Sequence, residues 1–162
     1  MSGGYTSVLP AEDRHIHTRS YLEKTLAMML GGHAAEELVF GEVSTGASDD
    51  ISKITKTARA MVMRYGMSEH LGPRTFGNKE ELIFLGREVS EQRDYSEKVA
   101  EEIDGEVRHF IDRARDLALS IICENRAKLE HLARTLLEVE SLEGDALADI
   151  MAAPVQERRG LP

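Results

Sequence analysis

The sequence predicts a mainly α-helical fold with a few short strands. Apolar residues recur every three or four positions through most of the chain, which is the spacing of one helix face. Residues that commonly cap helices, such as Thr18 and Ser48, stand at the starts of these stretches. Aromatic residues make up 5% of the chain and Trp is absent, which fits a helical core built from Leu, Ile, Ala and Met.

The bulk composition bounds the size and class of the protein. A chain of 162 residues suits one compact domain with at most a short appendage. The net charge of −9 argues against a nucleic-acid-binding surface, which needs a basic footprint. No apolar run approaches membrane-spanning length. Cys123 is the single cysteine and lies in an apolar stretch, so we interpret it as a buried structural thiol.

Short strands are predicted at three places. Residues 5–9 alternate and are β-prone, and such a strand needs a partner to be stable. Residues 74–76 and 82–85 are predicted to form a hairpin. His15 and His17 are interpreted as exposed loop histidines, because a spacing of one intervening residue is weak evidence for a metal site. His70 also lies in a loop, and for it both a place in a functional cleft and a surface role stay open.

The first long helix is predicted to begin after Thr18, and Ser20 with Glu23 offers an alternative capping box. The glycine pair at residues 31–32 interrupts its pattern, and close approach by another backbone would explain the pair. His33 is followed by Glu36 and Glu37. The zinc motif H-x-x-E-H would need a histidine where Glu37 stands, and the motif H-E-x-x-H would need a glutamate where Ala34 stands, so neither motif fits. His33 is therefore predicted to pair with one of the two glutamates.

The central feature is the stretch 41–51 and the helix that it precedes. Ser48 is the predicted N-cap, and Asp49 and Asp50 then fall in the first turn, where negative charge suits the helix dipole. Gly66 is predicted to end the helix in a left-handed conformation. The two aspartates are explained either by ordinary helix capping or by an oxygen offered to a cation or substrate. The residue types alone leave both interpretations open.

The remainder of the chain is predicted to be helical from Ser96 onward. A long amphipathic helix is followed by a second helix that Asn125 is predicted to cap, with Leu136 and Leu137 on its inner face. A last short helix ends before Pro154. These long C-terminal helices are expected to pack in antiparallel fashion with the helix that carries the two aspartates.

Residues 30–51, 63–73 and 84–87 resemble the peptidase domain of the FtsH-type ATP-dependent zinc metalloproteases. The resemblance extends over residues 4–151, which are interpreted as the C-terminal portion of that domain, and residues 152–162 are interpreted as a disordered tail. In the family, the second acidic residue of the Ser-x-Asp block is the third protein ligand of the catalytic zinc. The resemblance places that ligand at Asp50.

One departure from the family pattern limits what this chain can do. The family carries two zinc-binding histidines and a catalytic glutamate in an H-E-x-G-H motif, which is not found in these 162 residues. A fragment cut after the motif is favoured over a relative that lost it. The resemblance thus implies the C-terminal part of a zinc peptidase domain in an ATP-dependent metalloendopeptidase that degrades unfolded or membrane proteins. The alternative is a non-catalytic helical assembly module of the same descent.

The resemblance also implies cofactors and partners for the larger protein, which we call the parent enzyme. Zinc and ATP are expected there, the ATP through an upstream domain, together with protein substrates and a homo-hexamer. The chain would be a soluble domain on the cytoplasmic face of a membrane-anchored protein, with membrane contact only through absent segments. We assign no catalytic residue and no nucleotide-binding residue within the chain. Tight zinc binding by the chain alone is not expected, because one carboxylate is too few of the four donors that zinc takes.

Overall fold

The computed structural model describes residues 16–77 and 95–152. These two ranges form six α-helices and contain no β-strand, which confirms the mainly α prediction. The helices are α1 (Arg19–Met29), α2 (Gly31–Phe40), α3 (Ser48–Met63), α4 (Glu97–Glu124), α5 (Arg126–Val139) and α6 (Gly144–Ala152), with one 3₁₀ turn at Thr45–Ala47. None of these helices is both long enough and apolar enough to cross a membrane.

Helix α4 is the element against which the others pack. It contacts α1, α2 and α3, and α1 also contacts α3. Its buried side chains recur every three or four residues, as one face of a helix requires: Ile103, Val107, Phe110, Ala114 and Ala118. Four buried residues of α3 meet this core: Ile54, Ala58, Met61 and Val62. Because one face of α3 packs into the core from Ile54 onward, the core fixes the direction in which the helix axis points.

The first predicted helix is in fact two helices. Thr18 caps α1 as predicted, its Oγ1 accepting a hydrogen bond from the Tyr21 N–H at 3.2 Å. The chain then turns at Leu30 and continues as α2. The close approach predicted at Gly31 and Gly32 is wrong for the described residues, because a Cβ at either position would meet no atom within 4 Å. The glycine pair marks the junction of two helices and not a backbone contact.

Gly66 follows α3 in the predicted left-handed conformation, with φ of 58°. The helix itself ends at Met63, and the Met67 N–H then donates to the Met61 carbonyl at 2.9 Å. A Cβ on Gly66 would lie 3.0 Å from the Cα of Pro73. The turn therefore requires glycine both for its backbone angle and for the space beside it.

Replacing this glycine gives a prediction with an internal control. Gly66→Ala is expected to lower the free energy of unfolding by about 1–3 kcal/mol, because alanine is strained at positive φ. Gly105 lies on the exposed face of α4, and no atom of the described residues lies within 4 Å of a Cβ added there. Gly105→Ala is therefore expected to raise the free energy of unfolding by about 0.5–1 kcal/mol. Urea unfolding followed by circular dichroism measures both changes. A stability change of the same sign in the two variants would contradict the account.

Helix α4 begins where the sequence predicts, because the Ser96 Oγ accepts a hydrogen bond from the Val99 N–H at 3.3 Å. The predicted role of Asn125 is wrong. Its side chain makes no cap bond to α5 and instead donates from Nδ2 to the Ile121 carbonyl at 2.8 Å, which closes the end of α4. Cys123 is exposed and not buried. The buried stripe passes through Ala118, five residues earlier, and Cys123 falls about 140° around the helix from it.

The packing of helix α5 differs from the prediction. None of its residues is buried within the described part of the chain, and Leu137 is 85% exposed. Helix α5 packs mainly against α4 and α6, and the Lys128 Nζ donates to the Met151 carbonyl at 2.6 Å. The apolar periodicity of α5 correctly predicted a helix. Its predicted inner face has little of the described chain to cover it.

The predicted strands and the predicted tail are not confirmed by the described residues. Residues 74–76 are not a strand; the Phe76 N–H instead donates to the Met63 carbonyl at 2.9 Å, and the Phe76 ring packs edge-on against Tyr95 at 6.0 Å. The strands predicted at 5–9 and 82–85, His15 and residues 153–162 lie outside the described residues. Ala152, placed in the predicted tail, is the last residue of α6.

Candidate metal ligand and its surroundings

The two aspartates stand in the first turn of α3, as predicted. The predicted cap is wrong, because Ser48 is already the first residue of the helix and Ala47 precedes it without a side-chain bond. The preceding 3₁₀ turn leads directly into α3, with the Ser48 N–H donating to the Thr45 carbonyl. The chain therefore enters α3 directly from the 3₁₀ turn, without a side-chain cap from Ser48.

The Asp50 side chain is accessible at this helix start. It is 50% exposed, and its described partner is Lys53, whose Nζ lies 3.5 Å from the Asp50 Oδ1. Since Lys53 is 66% exposed and the distance is long, this ion pair holds the carboxylate weakly. The N-terminal end of the helix dipole favours negative charge there. Asp50 therefore offers oxygen lone pairs to a cation approaching the start of α3.

Asp50 fits the role of one zinc ligand, but the described residues do not make a complete site. A zinc site takes four donors, three of them from protein in a catalytic site. Residues 16–77 and 95–152 hold no group of three or more His, Cys, Asp or Glu side chains placed to share a metal ion. His17 is exposed, as predicted, and stacks on Tyr21 at 4.8 Å, and His70 is exposed on its loop. A zinc site that includes Asp50 would therefore need its other donors from outside these described residues.

Glu36 of α2 makes the main polar contact to the loop before α3. Its Oε2 accepts the Ser44 N–H at 2.7 Å, and its Oε1 accepts the Ser44 hydroxyl at 2.8 Å. The Ser44 Oγ in turn accepts the Gly46 N–H at 3.1 Å, which caps the 3₁₀ turn. Sequence reasoning missed this contact, because the two residues are eight positions apart and no periodicity links a helix glutamate to a loop serine.

The predicted pairing of His33 with a glutamate is not observed as a hydrogen bond. Glu37 instead forms an ion pair with Arg115 of α4, and Glu36 is engaged with Ser44. The His33 Nδ1 and the Glu37 Oε2 are both buried and have no hydrogen-bond partner among the described residues. The two adjacent glutamates thus bind different neighbours: Glu37 pairs with Arg115 on α4, and Glu36 binds Ser44 in the loop.

The bonds from Ser44 lower the pKa of Glu36, first through the backbone N–H and then through the hydroxyl, with a smaller contribution from the charge of His33. A lowered pKa means that the contact stabilises the fold at pH above the ordinary glutamate range, and that this contribution is lost as the pH falls through the lowered pKa. We expect ¹³C NMR titration of the Glu36 carboxyl to give a midpoint below the ordinary pKa of a glutamate.

The same titration in two variants tests the cause of this shift. Ser44→Ala removes the hydroxyl donor, so the midpoint of Glu36 is expected to rise toward its ordinary value. Ser52→Ala, at an exposed serine on α3, is the matched control and is expected to leave it in place. An unchanged midpoint in Ser44→Ala would show that the hydroxyl does not lower the pKa of Glu36.

Comparison with known proteins agrees with this picture. The family model of Peptidase family M41 matches residues 1–150. The chain is 52% identical to "ATP-dependent zinc metalloprotease FtsH 1" of Sphaerobacter thermophilus and 53% identical to the protein of the same name from Thermomicrobium roseum, in each case over 95% of this chain and 24% of the relative.

A more distant relative, "ATP-dependent zinc metalloprotease FtsH" of Ruminiclostridium cellulolyticum, is 46% identical over 97% of this chain and 25% of its own length. The chain therefore spans about a quarter of the length of the curated relatives that it matches. Since the family model covers all but the last residues, the chain belongs to Peptidase family M41, as an FtsH-type peptidase domain.

Proposed function

We propose that this chain is the C-terminal part of the zinc peptidase domain of an ATP-dependent metalloendopeptidase, and that Asp50 is one ligand of its zinc. The observation that carries the proposal is the accessible Asp50 carboxylate at the start of a helix whose later turns bury one face in the core. The names of the relatives support the reaction and the metal. The short match to those relatives supports a larger parent enzyme.

The chain's own residues would contribute placement and charge to the reaction. Bound zinc would acidify a water molecule and polarise the scissile carbonyl. Asp50 would hold one coordination position, and the burial of Ile54 and Met61 would fix the direction of the helix that carries it. The two histidines and the glutamate that accepts the proton from water would come from upstream of residue 1. Residues 16–77 and 95–152 would then serve as the support for a site completed by another segment.

The remaining features of the parent enzyme follow from the same proposal. An upstream module would hydrolyse ATP, unfolded or membrane proteins would be the substrates, and six copies would assemble. The domain would lie on the cytoplasmic face of a membrane that other segments cross.

Cleavage of an unfolded, fluorescently labelled protein in the presence of zinc and ATP tests the proposal. The full-length parent enzyme is expected to cleave it in a chelator-sensitive manner, whereas the 162-residue chain alone is expected to give no cleavage above background, because it lacks the catalytic glutamate. Chelator-sensitive cleavage by the chain alone would refute the assignment of the catalytic glutamate to another segment. No cleavage by the full-length protein would refute the peptidase function.

A non-catalytic assembly module is the second candidate. It is favoured by the exposed apolar side chains of α5, among them Leu136, Leu137 and Val139, which suit a contact between helices of different subunits. Sequencing the gene upstream of Met1 discriminates the two candidates. An H-E-x-G-H motif there supports the peptidase, and its absence supports the assembly module.

A further inference from the structure

Few contacts fix the loop that joins α2 to α3, and the main side-chain contact is to the carboxylate of Glu36. Residues 41–46 are all exposed, so the burial of apolar side chains does not fix them. Within the described part of the chain, the side-chain contact that ties this loop to a helix is the pair of hydrogen bonds between Glu36 and Ser44. Bonds to an ionised carboxylate are about twice as strong as bonds between neutral groups. We call Glu36, Ser44 and Gly46 the loop latch.

The loop latch is joined to the start of α3 through the 3₁₀ turn. The Ser44 Oγ receives the Gly46 N–H and so caps the 3₁₀ turn, and the turn continues without a break into the helix that carries Asp50. Glu36 is therefore connected to Asp50 through Ser44 and one short turn of backbone. The core fixes the axis of α3 through Ile54 and the buried residues that follow it, but these begin four residues after Asp50.

We propose that Glu36 is a positioning residue for Asp50: its carboxylate holds Ser44 and thereby sets where the first turn of α3 presents the metal-binding carboxylate. The inference rests on the proposed function of Asp50 as a zinc ligand. Glu36 is not itself placed as a ligand, because each of its oxygens already accepts a short hydrogen bond from Ser44. Outer residues of this kind typically change metal affinity about 10–100-fold when they are removed.

The neighbouring glutamate supplies a matched control. Glu37 lies one residue further along α2 and pairs with Arg115 of α4, away from the loop. Removing Glu37 deletes a negative charge and an ion pair from the same helix but leaves the loop latch intact. A general loss of stability or charge in α2 would affect both variants, whereas loss of the latch affects Glu36→Ala alone.

The first experiment uses the 162-residue chain and needs no metal. Hydrogen exchange by NMR is expected to be about tenfold faster or more at the Ser44 and Gly46 amides in Glu36→Ala, with the amides around Met61 unchanged. Glu37→Ala is expected to leave the exchange of the Ser44 and Gly46 amides unchanged. Unchanged exchange in Glu36→Ala would show that the latch does not hold the loop and would overturn the inference.

The second experiment measures zinc affinity in the full-length parent enzyme by competition with a chromogenic chelator. Glu36→Ala is expected to raise the zinc Kd about 10–100-fold, Ser44→Ala is expected to raise it in the same direction, and Ser44→Thr, which keeps the hydroxyl, is expected to restore it. Glu37→Ala is expected to leave the Kd within about threefold of the original value. Equal loss in Glu36→Ala and Glu37→Ala would overturn the positioning role.

Two further outcomes separate the possible failures. If Asp50→Asn leaves zinc affinity unchanged, the proposed function of Asp50 fails and the inference fails with it. If Asp50→Asn weakens zinc binding but Glu36→Ala does not, the positioning role alone is wrong. If Glu36→Ala weakens zinc binding while Ser44→Ala has no effect, the Ser44 hydroxyl does not connect Glu36 to the start of α3, and that result also overturns the inference.

Discussion

Asp50→Asn in the full-length parent enzyme is expected to lower both zinc content and peptide hydrolysis at least about tenfold, since even residues that only support a ligand have effects of that size. Asparagine keeps the shape of the side chain but loses the negative charge that a zinc ligand supplies. The fold is expected to survive, because Asp50 is half exposed and its ion pair with Lys53 is weak. Elemental analysis and hydrolysis rates measure the two losses.

Asp49→Asn is the matched control for this experiment. It makes the same change of charge in the same turn of α3, but Asp49 is assigned only to the helix dipole, an interaction worth about 0.3–1 kcal/mol. Zinc content is therefore expected to stay near that of the original enzyme. Equal losses in the two variants, or a loss only in Asp49→Asn, would show that the ligand has been placed at the wrong carboxylate.

The second large effect is expected in the core. Phe110 of α4 is 2% exposed, and the guanidinium of Arg19 lies 5.2 Å from the centre of its ring. Phe110→Ala is expected to lower the free energy of unfolding by about 3–5 kcal/mol, because the lost apolar contacts are joined by the cost of a cavity. Urea unfolding followed by circular dichroism measures the change. A loss of this size is a large fraction of the stability of an ordinary domain.

Leu137→Ala on α5 controls for the loss of apolar surface as such. Leu137 is 85% exposed, so its truncation is expected to change the free energy of unfolding by no more than about 0.5 kcal/mol. If Leu137→Ala were as damaging as Phe110→Ala, α5 would be packed in solution against a partner that the described residues do not include. In that case the account of the core around α4 would be incomplete.

Local patterns predicted much of the secondary structure. Thr18 and Ser96 cap their helices, Gly66 adopts positive φ, and the two aspartates stand in the first turn of α3. All four depend on hydrogen bonds or dihedral preferences that act within about one turn of helix. Asp50 as a metal ligand stays a prediction, because its residue type and position alone fit ordinary capping equally well.

Contacts between distant residues were decided only by the tertiary structure. Ser44 and not Ser48 forms the side-chain cap before α3, because Glu36 of another helix holds it in place. Cys123 and the apolar side chains of α5 are exposed, because amphipathic spacing shows which side chains share a face but not whether another element covers that face. The sequence by itself determined where helices form and where Asp50 stands in its helix. Packing around α4 determined which way that helix points, since burial depends on elements that lie far apart in the chain.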